Sequence, residues 1–232
     1  SDSIARQLGE YTPAGYYHPR ILDVSESNAG IKEILTGMKE GGMVKAVIPA
    51  TLLSGESGSE LVHSDGSSRI YKFWLREVID DAYSYQIEQL EEFSARSYNL
   101  DSTEYGFYFT KTRFALDSIE SGDEADIRYI GKYLDGTVFD TNIEDSAKKY
   151  DIYSSSNTYE ALTFKYKENE DETLEDNSFV QGFTKALWRM GYGDRAVTFF
   201  YSSLGYGDDG NDNIPGFVPL FFNRDDWTIL AV

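Results

Sequence analysis

The sequence predicts an α+β fold built from two related units that a longer helix connects. Two observations carry this prediction: short apolar runs rich in tyrosine and phenylalanine, which are typical of strands, and an internal repeat in which a helical pattern precedes such a run. The chain has 232 residues, 41% of them hydrophobic and 26% charged, enough for one or two domains with a buried core. We place the first unit at 1–80, a connecting helix and linker at 81–104, and the second unit at 105–232.

The internal repeat has a constant offset of 152 residues. Residues 30–55 align with residues 182–207 without a gap, and six of the 26 positions are identical. In each copy apolar side chains first recur at helical spacing and then, after a glycine turn, form a continuous run. We therefore expect both segments to fold as a short helix, a turn and a strand.

The remaining elements follow from local patterns. Acidic residues crowd the start of the segment 80–101, which favours a helix N-terminus there. Asp135-Gly136 lies between two apolar runs and predicts a hairpin turn. The acidic run 168–178 is typical of a solvent-facing loop. The predicted elements are a helix from Gly30, strands over 44–48 and 70–78, a helix over 80–101, strands over 105–111 and 125–134, a helix from Gly182, and strands over 196–201 and 217–222.

The composition excludes several classes of function. Lys and Arg total 21 and Asp and Glu total 40, a net charge of −19 that repels phosphate backbones and anionic lipid, so we expect no nucleic-acid partner. The chain has no cysteine, and its only histidines are His18 and His63. These counts exclude disulfides, thiolate chemistry and multi-histidine metal sites, and we expect both histidines at the surface. No apolar run approaches the ~18 residues that span a membrane.

Five segments of the second unit follow one another in a specific order. They read IRYIGKYLDGTVFD at 127–140, VQGFTKALWRM at 180–190, GDRAVTFFYSSLGYG at 193–207, Ile214-Pro215, and PLFF at 219–222. This order and spacing resembles the FKBP family of peptidyl-prolyl cis-trans isomerases, and the resemblance covers about 105–230. It implies two FKBP-like units, each a twisted antiparallel sheet wrapped on a short helix.

The resemblance also implies a proline pocket. Its catalytic residues are then Tyr129, Phe139, Asp140 and Tyr206, and its substrate-binding residues are Phe164, Val180, Phe183, Ile214 and Phe222. Phe183 stands where most members of the family have the Trp that floors the pocket. For the aromatic wall near residue 164, Leu162 is the alternative. We expect Tyr206 and the Ile214 backbone N–H to donate hydrogen bonds to substrate, and Asp140 to orient Tyr129 or polarise the site.

Such a pocket suits the chemistry of an X-Pro bond. Rotation breaks amide resonance and has a barrier of ~18–20 kcal/mol. The twisted amide is less dipolar than the planar one, so an apolar, water-excluding pocket favours it. The reaction needs no nucleophile, metal or cofactor, and we expect none. The predicted function is therefore prolyl isomerisation that assists protein folding. The alternative is a catalytically lapsed FKBP-like module that binds protein segments or has a structural role in the envelope.

The first unit resembles only the later part of the same domain. Ile31 and Ser54 stand where the second unit has Phe183 and Tyr206, and nothing before them corresponds to 105–142. We expect missing upstream sequence to complete this unit, and we interpret it as a non-catalytic scaffold or substrate-gripping domain.

Partners and location follow from the same resemblance and from composition. We expect a monomer that binds proline-containing protein segments and, by resemblance, macrolide-type immunophilin ligands. The chain opens with Ser1-Asp2-Ser3 and shows no signal peptide, which indicates a mature or trimmed form. The absence of cysteine and the wealth of Tyr, Asp and Asn are similar to exported Bacteroidetes proteins. We therefore expect a location in the cell envelope, either periplasmic or lipid-anchored at the outer membrane.

Overall fold

The computed structural model describes residues 1–53, 67–114, 119–223 and 227–231. Contacts between residues group the chain into two compact units. The large unit consists of Ser1–Arg20 and Tyr83–Val232, and the small unit of Ile21–Ala82. This grouping differs from the boundaries drawn on the sequence. The N-terminal residues belong with the large unit because Tyr16 packs against its core, and the predicted connecting helix belongs there because it covers the sheet.

The described residues form seven helices, one 3₁₀ turn and nine strands. The helices are α1 (Asp2–Leu8), α2 (Ala29–Thr36), α3 (Ala50–Leu53), α4 (Ala82–Ser97), α5 (Glu144–Lys149), α6 (Glu170–Asp176) and α7 (Gln181–Trp188), with a 3₁₀ turn at Ser202–Leu204. The strands are β1 (Met43–Ile48), β2 (Arg69–Trp74), β3 (Phe107–Arg113), β4 (Glu124–Lys132), β5 (Val138–Thr141), β6 (Leu162–Lys165), β7 (Arg195–Phe200), β8 (Leu220–Phe222) and β9 (Trp227–Ala231). None of these helices is both long and apolar enough to cross a membrane.

The large unit is an antiparallel sheet with a helix on each face. Its strand order is β3-β7-β8-β4-β5, and β6 and β9 also pair with β4. Helix α7 buries Phe183 and Leu187 in the main core on one face. On the other face α4 packs Leu90 and Phe93 against side chains of β3, β7 and β8. The predicted α+β class, with an antiparallel sheet wrapped on a short helix, is confirmed.

The acidic run that was predicted to be a loop contains helix α6. The Asn169 side chain caps this helix by accepting a hydrogen bond from the Glu172 backbone N–H at 3.0 Å. Glu170, Asp171 and Glu172 lie in its first turn, where the helix dipole stabilises negative charge. Glu170 also forms ion pairs with Lys185 of the neighbouring α7 and with Arg189, the C-cap residue of that helix. Capping and ion pairing therefore fold a segment whose composition alone predicts a solvated loop.

The repeated segments have the same secondary structure at the predicted offset. Helix α2, shifted by 152 residues, coincides with α7, and β1 coincides with β7. The glycines of the two turns, Gly41 and Gly193, have left-handed φ angles of 75° and 77°. Each strand then pairs antiparallel with the next, β1 with β2 and β7 with β8. The last aligned positions, Ser54 and Gly55, lie outside the described residues.

A close helix–strand approach recurs in both copies. A Cβ atom added to Gly182 would lie 2.4 Å from the Phe200 ring, and one added to Gly30 would lie 2.3 Å from Ile48 Cγ2. These pairs occupy equivalent positions, because both members differ by 152 residues. In each unit the helix therefore lies directly on the strand only because its second residue lacks a side chain.

We expect Gly182→Ala to lower the free energy of unfolding by about 1–3 kcal/mol, because the added methyl overpacks the helix–strand contact. Chemical denaturation of the full chain measures this change. Gly37→Ala is the matched control: its Cβ would lie 3.6 Å from the nearest atom, an ordinary contact, and its φ is −85°. Equal stability changes in the two variants would contradict the packing role of Gly182.

Candidate active site

A cavity of about 290 Å³ opens on the large unit. Three separate parts of the chain supply the predicted residues that line it: Phe139 and Asp140 from β5, Tyr206 from the turn after the 3₁₀ helix, and Ile214 from the following loop. Thr12, Ala14 and Gly15 of the N-terminal segment also line this cavity. Four of the nine predicted site residues therefore share one concave surface.

Pairing of β4 with β5 positions the Asp140 carboxylate. Gly131 is directly opposite Asp140 in the register, and a Cβ on Gly131 would lie 2.6 Å from the Phe139 ring. The missing side chain at Gly131 thus lets the Phe139 ring lie across β4 beside the cavity. Two residues earlier on β4, the Tyr129 hydroxyl donates a hydrogen bond to Asp140 Oδ2. This bond fixes the carboxylate at the cavity rim, in agreement with the orienting partnership predicted for the two residues.

Both tyrosines near Asp140 are held in the neutral form. Burial, together with the Asp140 charge and the hydrogen bond to it, raises the pKa of Tyr129 well above its usual range. Burial and the same carboxylate raise the pKa of Tyr206. Among the described residues, no protein group hydrogen-bonds the Tyr206 hydroxyl. The cavity therefore presents one fixed carboxylate and one neutral hydroxyl that can donate to a ligand carbonyl.

Three aromatic rings form a layer behind the cavity. The Phe183 ring lies 5.5 Å from that of Tyr129 and 5.2 Å from that of Phe222. Phe183 and Phe222 are only 4% and 3% exposed, and Phe222 contacts Phe139 at 6.5 Å between ring centroids. These rings support the lining side chain Phe139 and do not themselves line the cavity. The position of Phe183 is already filled on several sides, so a larger ring would overpack it.

Val180 and Phe164 lie farther from the cavity than the sequence predicted. Val180 is the N-cap residue of α7 and packs, half-buried, against the main core. Phe164 is fully buried and stacks on Phe179 at 6.2 Å. Its β6 position opposite Ala125 points the ring into the core. The structure therefore places Phe164 in the core and not in the cavity wall.

Tyr159 is the aromatic residue that lines the cavity in this region. Its carbonyl accepts a hydrogen bond from Arg128 at 2.9 Å, and its hydroxyl accepts one from the Ser154 N–H at 2.9 Å. The ring stacks on Tyr153 at 5.4 Å. Sequence analysis missed Tyr159 because it lies in an irregular segment without periodicity, between the quoted motifs. Its one sequence signal is an aromatic residue three positions before a strand.

The backbone N–H of Ile214 is already used within the protein. It donates to Asn211 Oδ1 at 2.8 Å, and the same oxygen accepts from the Asn213 N–H at 2.9 Å. The prediction that this N–H donates to substrate is therefore wrong for the structure described: the Asn211 side chain closes the loop on itself. The Ile214 side chain, 2% exposed, still contributes to the cavity wall.

His18 is exposed, as predicted, but it has a partner in the large unit. Its Nε2 atom lies 2.7 Å from Asp135 Oδ2, in the hairpin turn between β4 and β5. Burial alone would raise the pKa of Asp135, but hydrogen bonds from Thr137 and His18 outweigh it and lower that pKa. His63 lies outside the described residues. Among the residues that the structure describes, no group of acidic or histidine side chains is arranged to hold a metal ion.

The cavity beside the antiparallel sheet combines three aromatic side chains, Phe139, Tyr159 and Tyr206, with polar side chains such as Asp140 and Asn211. Residues 117–223 match the family model described as FKBP-type peptidyl-prolyl cis-trans isomerase. The sequence resemblance is thus confirmed for residues 117–223, which are similar to FKBP-type peptidyl-prolyl cis-trans isomerases. No curated protein sequence matches the chain.

Solved structures similar to the chain include three with related descriptions. FkpA from Escherichia coli matches with a TM-score of 0.45 and 19% identity over 65% of this chain, which spans 59% of the FkpA chain. A peptidyl-prolyl cis-trans isomerase from Pseudomonas syringae pv. tomato matches with a TM-score of 0.43 and 21% identity, over 66% of this chain and 98% of that one. AtFKBP13 matches with a TM-score of 0.38 and 18% identity, over 57% and 95%.

We expect the Tyr129 phenol to stay protonated at about pH 11, where an ordinary tyrosine ionises. Its raised pKa stabilises the fold fully below the unfolded pKa, and this contribution is lost as the pH rises through the folded value. Phenolate absorbance of the folded wild type and of Tyr129→Phe measures it: the two spectra should coincide at this pH. Loss of a phenolate in Tyr129→Phe would contradict the burial of this hydroxyl.

Proposed function

We propose that the large unit isomerises X-Pro bonds of protein segments in the cavity formed by Phe139, Asp140, Tyr206 and Ile214. The observation that carries this proposal is the convergence of these residues on one cavity within the segment that matches the isomerase family. A proline ring needs apolar walls on several sides to exclude water, and a peptide carbonyl needs a donor at the rim. Phe139 and Ile214 meet the first requirement, and the Tyr206 hydroxyl meets the second.

The proposed mechanism is differential binding of the twisted amide. The planar X-Pro bond loses its resonance and part of its dipole on twisting, so contact with the apolar side chains of Phe139 and Ile214 in this otherwise polar cavity disfavours the ground state more than the transition state. Tyr206 donates to a carbonyl of the substrate and holds the chain on one side of the rotating bond. Asp140 is fixed by Tyr129 and places a negative charge at the rim. Each 1.36 kcal/mol gained selectively by the twisted state gives about tenfold in rate.

The aromatic layer behind the cavity keeps the site in shape. Phe183, Phe222 and Tyr129 touch one another and support Phe139. In this proposal they act as positioning residues, and so do Val180 and Phe164, which pack in or against the core. Tyr159 joins the substrate-contacting residues because it lines the cavity.

Three finer proposals extend this function. We propose that the isomerase assists folding of exported proteins in the cell envelope and that macrolide-type ligands compete for the same cavity. Composition supports the envelope location, and fractionation of cells that produce the native protein tests it.

We also propose that the small unit is a degenerate copy of the later half of the large unit. The shared element bounds and the equivalent close contacts at Gly30 and Gly182 support this duplication. The small unit then acts as a scaffold or grips substrate.

We expect Phe139→Ala to lower kcat/KM for X-Pro tetrapeptides by roughly 10–100-fold, because a buried phenylalanine wall is worth about 1.5–3 kcal/mol. Tyr206→Phe removes only the donor and should lower kcat/KM by about tenfold or less, a net hydrogen bond of 0.5–1.5 kcal/mol. A protease-free isomerisation assay by exchange NMR measures both. The matched controls are Phe114→Ala and Tyr105→Phe, at side chains 76% and 65% exposed.

Two results of this assay would contradict the assignment. Wild-type activity that Phe139→Ala leaves unchanged, in a variant shown to be folded, would mean that the reaction occurs elsewhere. A wild type that binds proline peptides in the cavity without isomerising them would replace the enzyme with a lapsed binding module.

We expect kcat/KM to be flat from about pH 6 to 8, because the proposed donor is a phenol whose pKa is raised and which therefore stays neutral throughout this range. The same assay in buffers of constant ionic strength measures the profile. His18, bound to Asp135 near the site, is the one described histidine, so the profile of His18→Ala is measured beside that of the wild type. A bell-shaped profile that persists in His18→Ala would contradict catalysis by desolvation and hydrogen bonding.

A further inference from the structure

The N-terminal strap, defined here as residues 11–18, forms part of the cavity wall. Thr12, Ala14 and Gly15 line the cavity together with Asp140 and Tyr206. The strap lies outside the segment 117–223 that matches the isomerase family, so the matched domain does not supply this part of the wall. The strap therefore adds a surface that a substrate in the cavity must contact.

The strap holds its own conformation. The Gly15 N–H donates to the Thr12 carbonyl at 3.0 Å, which closes a turn with Pro13 at its second position and glycine at its fourth, both favoured there. The Tyr17 hydroxyl accepts from the Thr12 N–H at 2.7 Å and donates to the Thr12 carbonyl at 3.2 Å. A Cβ on Gly15 would lie 2.6 Å from the Tyr17 ring, so glycine is what lets the ring fold over the turn.

Two side chains fix the strap to the sheet of the large unit. The Tyr16 ring meets the Tyr133 ring edge-on at 5.1 Å between centroids, and burial raises the pKa of Tyr16 to about 12. Tyr133 in turn contacts the cavity residue Phe139 at 5.1 Å. His18 contacts Asp135 at 2.7 Å in the adjacent turn. Both anchors thus lie on the hairpin that carries Phe139 and Asp140, so the strap keeps a defined distance from the site.

The strap is a wall of the cavity and not its occupant. Pro13 is not among the lining residues, and the strap residues that do line the cavity have small side chains at two of three positions, Ala14 and Gly15. A wall of small residues leaves the cavity open to a ligand but limits its width. A substrate segment bound in the cavity would lie against this wall and against Asp140 and Tyr206, which line the same cavity.

Resting on the proposed function, we propose that the strap determines substrate specificity by restricting the site to X-Pro segments with a small residue beside the proline. Ala14 sets the width of the site, and the His18–Asp135 contact keeps the strap in place. The geometry assigns this role to the strap because its lining residues, its internal hydrogen bonds and its anchors all lie within eight consecutive residues.

Two variants of the full chain test the proposal in opposite directions. Ala14→Leu adds volume at the wall and should lower kcat/KM for a Leu-Pro tetrapeptide by about tenfold or more, the usual effect of added methylenes in a tight pocket, and lower it less for an Ala-Pro tetrapeptide. His18→Ala loosens the strap and should raise the ratio of Leu-Pro to Ala-Pro kcat/KM about threefold or more. Exchange NMR measures activity, and chemical-shift titration measures binding of the same peptides.

Matched controls separate the wall from general effects. Ala5→Leu makes the same change in α1, a helix without buried residues. Lys167→Ala removes a surface side-chain contact with Asp176, as His18→Ala removes the one with Asp135. Neither control should move the Leu-Pro to Ala-Pro ratio. A wild type that is active, with the same ratio in Ala14→Leu and His18→Ala, would overturn the specificity role and leave the proposed isomerase intact.

If the wild type and all variants lack isomerase activity, the binding measurements distinguish two further outcomes. If no variant isomerises either peptide but the two strap variants shift the relative binding of Leu-Pro and Ala-Pro in the expected directions, the isomerase proposal fails and the strap stands as a selective wall. If binding also shows no shift, both proposals are overturned.

Discussion

Strand β4 is the element on which the large unit depends. Four other strands pair with its nine residues: β6 and β9 share its residues 125–127, and β5 and β8 share Lys132. Because one strand serves as partner to so many, the path of β4 decides where each of the others can lie. Its pairing with β5 places Asp140 within reach of the Tyr129 hydroxyl, and its residues 124–129 pair with β6 and β9. The backbone hydrogen bonds of β4 thus determine the position of the cavity.

The polar residue Asn142 connects this sheet to the irregular segment beside it. Its side chain accepts from the Tyr129 N–H at 2.9 Å and donates to the carbonyls of Ile127 and Glu160 at 2.8 and 3.0 Å. Three of its hydrogen-bonding positions are therefore satisfied in a buried location, as a buried amide requires. Asn142 in this way ties Tyr129, which holds Asp140, to the segment that presents Tyr159. Asn142 therefore supports both the rim of the cavity at Asp140 and its wall at Tyr159.

Sequence patterns predicted the elements and site residues that depend on neighbouring residues in the chain. The helix–turn–strand repeat follows from periodicity and from glycines at positions of left-handed φ, and Phe139, Asp140 and Tyr206 follow from motifs with fixed spacing. Phe164 and the Ile214 N–H were misassigned because burial of the one and internal bonding of the other depend on partners distant in sequence. The strap was not predicted at all. Its His18–Asp135 contact joins residues 117 positions apart, and two exposed polar residues leave no periodic signal.

The sheet of the small unit has a consequence for the behaviour of the protein in solution. Within the described residues β1 and β2 pair only with each other, so each presents an open edge to which another chain can add a strand. The solvent face carries Met43, Val47, Ile70 and Trp74, all more than half exposed. Lys45 and Lys72 lie opposite each other between these apolar pairs, and like charges at this position repel an identical face. Salt that screens these two positive charges weakens this repulsion.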